Sequence, residues 1–218
     1  MGKTAIIAGA SGLIGSNLLQ ILLAADGYDH ILAIVRKRLP IDHKKLKQLV
    51  IDLDRLDDKA AEITGDVIFS CFGTTKAQTP DKVLYRKIDH DYPVKLAQIG
   101  LKNGVKQFHL VSAVGANASS STFYLQLKGE TEQDLVKVGI PSVYIYQPSM
   151  LRGRKDNTRV GEGFFNGLMT VIDPLLFGSL TNFHSIQAAD VARAMYNQSI
   201  DNEAGTFIYR YNDIIKLK

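Results

Sequence analysis

The chain of 218 residues has a single cysteine. Cys71 cannot close an intrachain disulfide, and no Cys-x-x-Cys pair exists to hold zinc. This suits a compartment that keeps thiols reduced, and a cytoplasmic location is expected. The five histidines, His30, His43, His90, His109 and His184, show no metal-ligand spacing. No apolar stretch reaches the roughly 20 residues of a membrane-spanning helix. Lys3 and the small apolar residues after it superficially resemble a secretory leader, but regularly spaced glycines and the polar Asn17 and Gln20 argue against one. Met1-Gly2 is not followed by Ser or Thr at position 6, which is Ile6, so myristoylation is not expected. Neither charge sign dominates: 26 Lys and Arg face 22 Asp and Glu, a net +4. No dense basic tail with interleaved aromatics is present, so nucleic acid is not an expected partner and neither is a membrane. The mild basic excess leans toward small anionic ligands. Internal repeats and low-complexity tracts are also lacking.

What remains is an ordinary globular composition, 45% hydrophobic and 22% charged. Strand-like apolar runs occur at Ala5–Ala8, His30–Val35, Gln48–Ile51, Val67–Cys71, Gln107–Val111 and Ser142–Tyr146, and Phe207-Ile208-Tyr209 offers one more. Helical patterns lie near 13–25, 81–102, 124–138 and 187–198. Strands alternating with helices predict an α/β fold: a Rossmann-like doubly wound parallel sheet in three α/β/α layers, with ligands at the carboxyl ends of the strands. No linker cuts off a second unit. Residues 1–218 are expected to form one domain, with 147–185 as a small C-terminal cap on the substrate side. Phe164, Phe165, Met169, Phe177 and Phe183 are candidates to line an apolar pocket or to fill core, and Ser185 and Asp190 to mark a helix start.

The first strand runs into Gly9-Ala10-Ser11-Gly12-Leu13-Ile14-Gly15, and an apolar helical pattern follows at once. Strand, glycine turn and helix N-terminus together cradle a dinucleotide pyrophosphate. Gly9 turns the chain, Gly12 lets backbone N–H groups approach phosphate, and Gly15 lets helix and sheet close up. Ser11, Leu13 and Ile14 lie in the same turn and join the candidate contacts. A P-loop is excluded because Ser16 stands where that motif needs lysine. The second strand ends in Arg36-Lys37-Arg38 rather than in an acid that would bond ribose hydroxyls. A guanidinium there can pair with a 2′-phosphate, so NADP(H) is expected over NAD(H), with Arg36 and then Lys37 as contacts. The alternative is a solvated basic loop. Asp52 and Leu53 follow the third strand as candidate contacts to the adenine end, although Asp52 is equally suited to cap the next helix. Phe72, Gly73 and Thr74 end the fourth strand beside the expected cofactor ribose. Cys71 next to them is expected to be a buried small residue, not a nucleophile.

Tyr124 and Lys128 are four apart on a helical pattern, so they share one face. An ammonium and an oxidised nicotinamide would together stabilise a phenolate and lower the tyrosine pKa, allowing proton exchange with a carbonyl or alcohol. Such a pair alone carries little information. Ser112, at the end of the fifth strand, gives it weight because a hydroxyl there points into the crevice and can polarise a substrate oxygen. The structural alternative is that Ser112 caps a loop and Tyr124 covers a helix–sheet seam.

These residues, in this order and spacing, resemble the short-chain dehydrogenase/reductase superfamily from about residue 4 to about residue 196. Cys71-Phe72-Gly73-Thr74-Thr75, Asp89-His90-Asp91-Tyr92 and Leu110 to Glu130 look closest to its atypical, Tat-interacting-protein-like branch. The resemblance implies an NADP(H)-binding Rossmann-like fold with Ser112, Tyr124 and Lys128 at the active site. Asp89 stands where superfamily members often carry asparagine. Pro148-Ser149 matches a Pro-Gly segment, which puts Pro148 and the backbone of Gln147 to Leu151 beside the nicotinamide. The large C-terminal lobe of sugar-nucleotide enzymes is not expected in a chain of this length. Two functions follow: an NADP(H)-dependent oxidoreductase reducing a carbonyl of a small substrate, or a non-catalytic NADP(H)-binding regulator that engages a protein partner. The helices at 81–102 and 124–138 are the candidates to pair across a homodimer.

Overall fold

The computed structural model describes residues 2–153, 178–201 and 203–218. Its strands are β1 (Thr4–Ala8), β2 (His30–Val35), β3 (Leu46–Val50), β4 (Val67–Ser70), β5 (Gln107–Val111), β6 (Ser142–Tyr146), β7 (Leu151–Arg152), β8 (Ile186–Gln187) and β9 (Gly205–Tyr209). Seven of them form one parallel sheet in the order β3-β2-β1-β4-β5-β6-β9, and β7 and β8 pair separately. The order reverses beside β1, where crossovers leave to opposite faces and a crevice opens at the strands' carboxyl ends.

The strand sequences dictate this layering. Ala5 and Ile7 face one core while Ile6 and Ala8 face the other, and Ile31 and Ala33 alternate with Leu32 and Ile34 in the same way. A sheet apolar on both faces needs helices on both. One face is covered by α1 (Leu13–Ala24), by the helix Ala188–Ile200, here α5, and by α6 (Tyr211–Leu217). The other is covered by a 3-10 segment (Leu53–Glu62), by α3 (Tyr92–Lys102) and by α4 (Phe123–Val138). This is the Rossmann-like α/β architecture expected from the alternation. His109 on β5 is part of the core: it stacks on Tyr144 at 4.5 Å and lies 3.1 Å from the Tyr146 hydroxyl. Burial pulls its imidazole pKa down to about 3, so the ring is neutral.

Several elements differ from the expectation. β3 begins two residues early, and β3 and β4 each end one residue early. Ile51 N–H and Cys71 N–H still donate across to Val35 and Ala8, so the hydrogen bonding continues past the named ends. The 3-10 segment and α6 were not anticipated. α5 starts at Ala188 with no side-chain cap; Ser185 lies outside it, and Asp190 sits in its first turn, paired with Lys218. The pattern over 81–102 is not one regular helix: α2 (Lys82–Arg86) passes through a π-helical turn (Lys87–Asp91) into α3. Pro93 has no N–H for the Asp89 carbonyl four residues back. The Thr131 hydroxyl of α4 lies 3.0 Å from that carbonyl and shares its proton with Leu127 O at 2.7 Å. The expected cap at 147–185 falls largely outside the described residues, as do Phe164, Phe165, Met169 and Phe177; Phe183 is 48% exposed.

Candidate cofactor cradle and active site

The glycine turn after β1 has the shape its spacing implies. Gly9 has φ +80°, and a Cβ there would lie 2.5 Å from the Cys71 carbonyl oxygen. A Cβ on Gly15 would collide with the Gly9 carbonyl. These two glycines press the turn against β4 and α1 against the turn. Gly12 N–H donates to Gly9 O at 2.9 Å, and Gly12 is the extended residue before α1. No side chain caps this helix and no acid occupies its first turn. Its leading N–H groups, with the positive end of the helix dipole, therefore suit a bound anion. Ser11 and Gly12 are exposed, whereas Ile14 sends its side chain into the core. Leu13 is partly buried against the same core. The residues present fit a dinucleotide diphosphate.

The surrounding candidates fall along the same crevice. Arg36 and Lys37 are exposed at the carboxyl end of β2. Asp52 caps the 3-10 segment through Asp54 N–H at 3.1 Å, and Leu53 is buried in the core, so only its backbone faces outward contacts. Phe72 is half-buried beside Tyr92, with ring centroids 6.3 Å apart. Gly73 is open: a Cβ there would meet nothing nearer than Asp89 Oδ1 at 4.0 Å. Burial pushes the Cys71 thiol up to about 12, which makes it inert. Pro148 is buried, and its carbonyl accepts from Val114 N–H at 3.0 Å.

A chain of contacts joins this cradle to the proton-transfer candidates. Thr74 N–H, in the loop after β4, donates to Asp89 Oδ2 at 3.0 Å. Asp89 Oδ1, buried and without a directed hydrogen bond, lies 2.7 Å from Lys128 Nζ, and both side chains are almost fully buried. Lys128 in turn donates to Val111 O, the last residue of β5, at 3.4 Å. The π turn supplies Asp89 for this role, and Gly129 lets the loop after β5 close on α4, since a Cβ there would run into Asn117 and Ala118 backbone. Asn117 N–H donates to Leu125 O at 3.0 Å, fixing the same loop. Lys128 thus reaches the end of β5 next to Ser112, and Tyr124 stands one turn from Lys128 on the same face of α4.

Two details differ from the sequence expectation. The expected lowering of the Tyr124 pKa counted on Lys128 together with an oxidised nicotinamide; the protein groups alone raise it, with Tyr124 38% exposed. Burial is the main cause; Lys128 pulls the other way, and Asp89 adds negative charge that works against the lysine. Ser112, 4% exposed, donates its hydroxyl hydrogen to Glu132. Glu132 was not anticipated, although Tyr124, Lys128 and Glu132 stand at i, i+4 and i+8 on one helix face. Gln147 Nε2 donates to both Glu132 oxygens at 3.0 and 3.1 Å, and Arg210 Nε donates to Gln147 Oε1 at 3.2 Å. Tyr85 of α2 was missed as well: its hydroxyl donates to Thr74 O at 3.0 Å, and its ring meets Phe123 edge-on at 5.7 Å. Among the described residues no cluster could hold a metal ion, and no helix is long and apolar enough to cross a membrane.

Comparison with known proteins agrees with this geometry. A family described as NAD(P)H-binding matches residues 9–163. Rat Protein HTATIP2 is 31% identical over 211 residues, covering 93% of this chain and 84% of the relative. Protein FMP52-1, mitochondrial, of Scheffersomyces stipitis is 30% identical over 207 residues, covering 89% and 87%. Among solved structures, MoeE5 with UDP-glucose and NAD superimposes with a TM-score of 0.70 at 16% identity over 98% of this chain and 80% of that one. Bordetella bronchiseptica WbmG with NAD gives 0.69 at 17% identity, covering 96% and 73%. At those identities the likeness is one of fold. The relatives named mitochondrial, including FMP52 of Meyerozyma guilliermondii, overturn the expected cytoplasmic location. A lone cysteine requires only that thiols stay reduced, a condition that does not single out one compartment.

Proposed function

The chain belongs to the NAD(P)H-binding family, in the Tat-interacting-protein-like branch of the short-chain dehydrogenase/reductases, and from that premise we propose that it is an NADPH-dependent reductase of a small carbonyl substrate. The observation that carries this reading is the set of contacts from the loop after β4, which the glycine turn abuts at Cys71, through Thr74 and Asp89 to Lys128 and the end of β5 next to Ser112. Bound NADPH supplies hydride to the carbonyl carbon. Tyr124 donates its proton to the carbonyl oxygen, giving an alcohol, and its exposure lets solvent return the proton. A phenol held above its usual pKa range is protonated at neutral pH, so Tyr124 enters the reaction carrying the proton that reduction consumes. Lys128, clamped by Asp89, fixes the helix face that presents Tyr124, and the family resemblance gives it the nicotinamide ribose to hold. Arg36, seconded by Lys37, supports the choice of NADPH, because a cation at the end of β2 complements a 2′-phosphate.

The commitment of the Ser112 hydrogen to Glu132 favours a second reading, in which the fold holds NADP(H) and signals its state to a protein partner. The two separate on one experiment. NADPH oxidation is followed with aldehydes, ketones and quinones for the wild type and for Tyr124→Phe. The reductase reading expects turnover that falls at least 100-fold in the variant, in line with the general acid's typical share, while NADPH affinity stays within twofold. Tight NADPH binding with no turnover of any carbonyl would favour the regulator, and unchanged turnover in the variant would remove Tyr124 from the chemistry.

A further inference from the structure

Glu132 is a carboxylate buried at the carboxyl end of the sheet, with no role in the reaction described above. Its neighbours decide where its proton can go. Arg210 reaches Gln147 from the far side, and a guanidinium can only donate, so it holds the Gln147 oxygen toward itself. The Gln147 amide nitrogen is thereby turned onto the carboxylate and donates to both of its oxygens. A proton on Glu132 cannot face that nitrogen. Its open direction is Ser112.

We propose that Glu132 is a positioning residue that sets the direction of the Ser112 hydrogen, and through it whether the site receives a carbonyl or an alcohol. This rests on the reductase reading. With Glu132 ionised, Ser112 spends its one hydrogen on the carboxylate and offers the crevice only lone pairs, which suit a hydroxyl donor. With Glu132 protonated, the carboxyl donates to Ser112 Oγ and frees the serine hydrogen to bond a carbonyl oxygen. Reduction therefore needs the protonated form. Burial raises the Glu132 pKa, and Ser112, Gln147, Lys128 and Arg210 pull it down without cancelling the effect. The charged groups around it are Lys128 one turn away on α4, Asp89 across that lysine, and Arg210 behind Gln147.

Glu132→Gln tests this with little change of shape. Its amide oxygen accepts from Gln147 and its amide nitrogen donates to Ser112, giving up the bond Gln147 makes to that atom and keeping the donor direction of the protonated carboxyl at every pH. Two measurements are made, with NADPH affinity as the check on folding. In the infrared, the wild type should show a protonated-carboxyl band that persists above the ordinary glutamate range, titrates away as pH rises, and is missing from Glu132→Gln. In kinetics, wild-type kcat/KM for carbonyl reduction should fall about tenfold per pH unit above that titration, and Glu132→Gln should stay flat until Tyr124 ionises. Ser112→Ala, slower throughout, should also lose the limb. A band that survives Glu132→Gln, or a pH limb unchanged in it, would overturn the inference. If the wild type binds NADPH but reduces nothing, the reductase reading falls and the substrate half of the inference with it. The infrared titration still judges the placement of the proton.

Discussion

The buried pair between Asp89 and Lys128 allows the sharpest prediction. The nitrogen and oxygen are 2.7 Å apart and the side chains are 5% and 0% exposed, so neither charge has water to fall back on. Removing one partner strands the other, which typically costs about 3 to 5 kcal/mol, whereas removing both charges together is often close to neutral. Lys128→Met leaves the Asp89 carboxylate with Thr74 N–H as its remaining donor. Asp89→Asn keeps an acceptor for Thr74 but strands the ammonium, whose other close acceptor is Val111 O. Each single variant should lose about 3 kcal/mol or more. At roughly 2 to 4 °C per kcal/mol for a chain of this size, that lowers Tm by on the order of 6 to 12 °C. The Asp89→Asn/Lys128→Met double variant should recover most of the loss, giving a coupling of at least about 2 kcal/mol in a double-mutant cycle. Urea unfolding of the four proteins at one pH measures it. Single variants within about 0.5 kcal/mol of wild type, or losses that simply add, would refute the claim that this pair holds the crevice together.

Other outcomes follow from the same geometry. Arg36→Ala should weaken NADPH binding by about 10- to 100-fold, the worth of a lost charge-assisted pair, and leave NADH binding nearly unchanged; equal loss for both cofactors would move the 2′-phosphate contact elsewhere. Gly15→Ala should abolish NADPH binding and cost several kcal/mol of stability, because its methyl has no room against the Gly9 carbonyl; calorimetry with NADPH reports both. His109 has a folded pKa of about 3, below its unfolded value, so the unfolded chain takes up a proton that the native one refuses. Stability should fall by about 1.4 kcal/mol per pH unit below pH 6.5 on this account. His109→Phe, whatever its starting stability, should show a shallower slope between pH 6 and 4 in urea titrations.

Much of the scaffold was legible because the strands are apolar on both faces and the glycine turn has one physical use in that setting. Ala5 to Gly15 fixes both the first crossover and the cradle. The 3-10 segment escaped notice because only Leu53 and Leu56 in it are fully buried, with Ala60 packed partly against the core, and its chain kinks at Arg55. The π turn was hidden because 81–102 reads as one helical pattern; the carbonyl that Pro93 leaves without a backbone donor is met by Thr131, 38 positions beyond the proline. In the site, the Tyr124–Lys128 spacing could be read locally. The Ser112–Glu132 and Gln147–Arg210 contacts could not, since they join segments 20 and 63 residues apart. The sign of the Tyr124 shift depended on how far the folded chain buries its hydroxyl, with Asp89 adding to it, and neither can be read from the helical spacing.

The π turn makes the active centre sensitive to chain length at a place remote from any loop. An ordinary helix advances about 100° per residue. Deleting Ile88 alone would restore regular winding and keep every side chain discussed, yet it would swing everything upstream of the cut out of phase with α3. Asp89 and α3 would then compete for the alignment that α2 and the Thr74 loop require. A conservative point change at position 88 should be tolerated far better than this loss of one residue, which makes residue count along 82–102 a stricter requirement than composition.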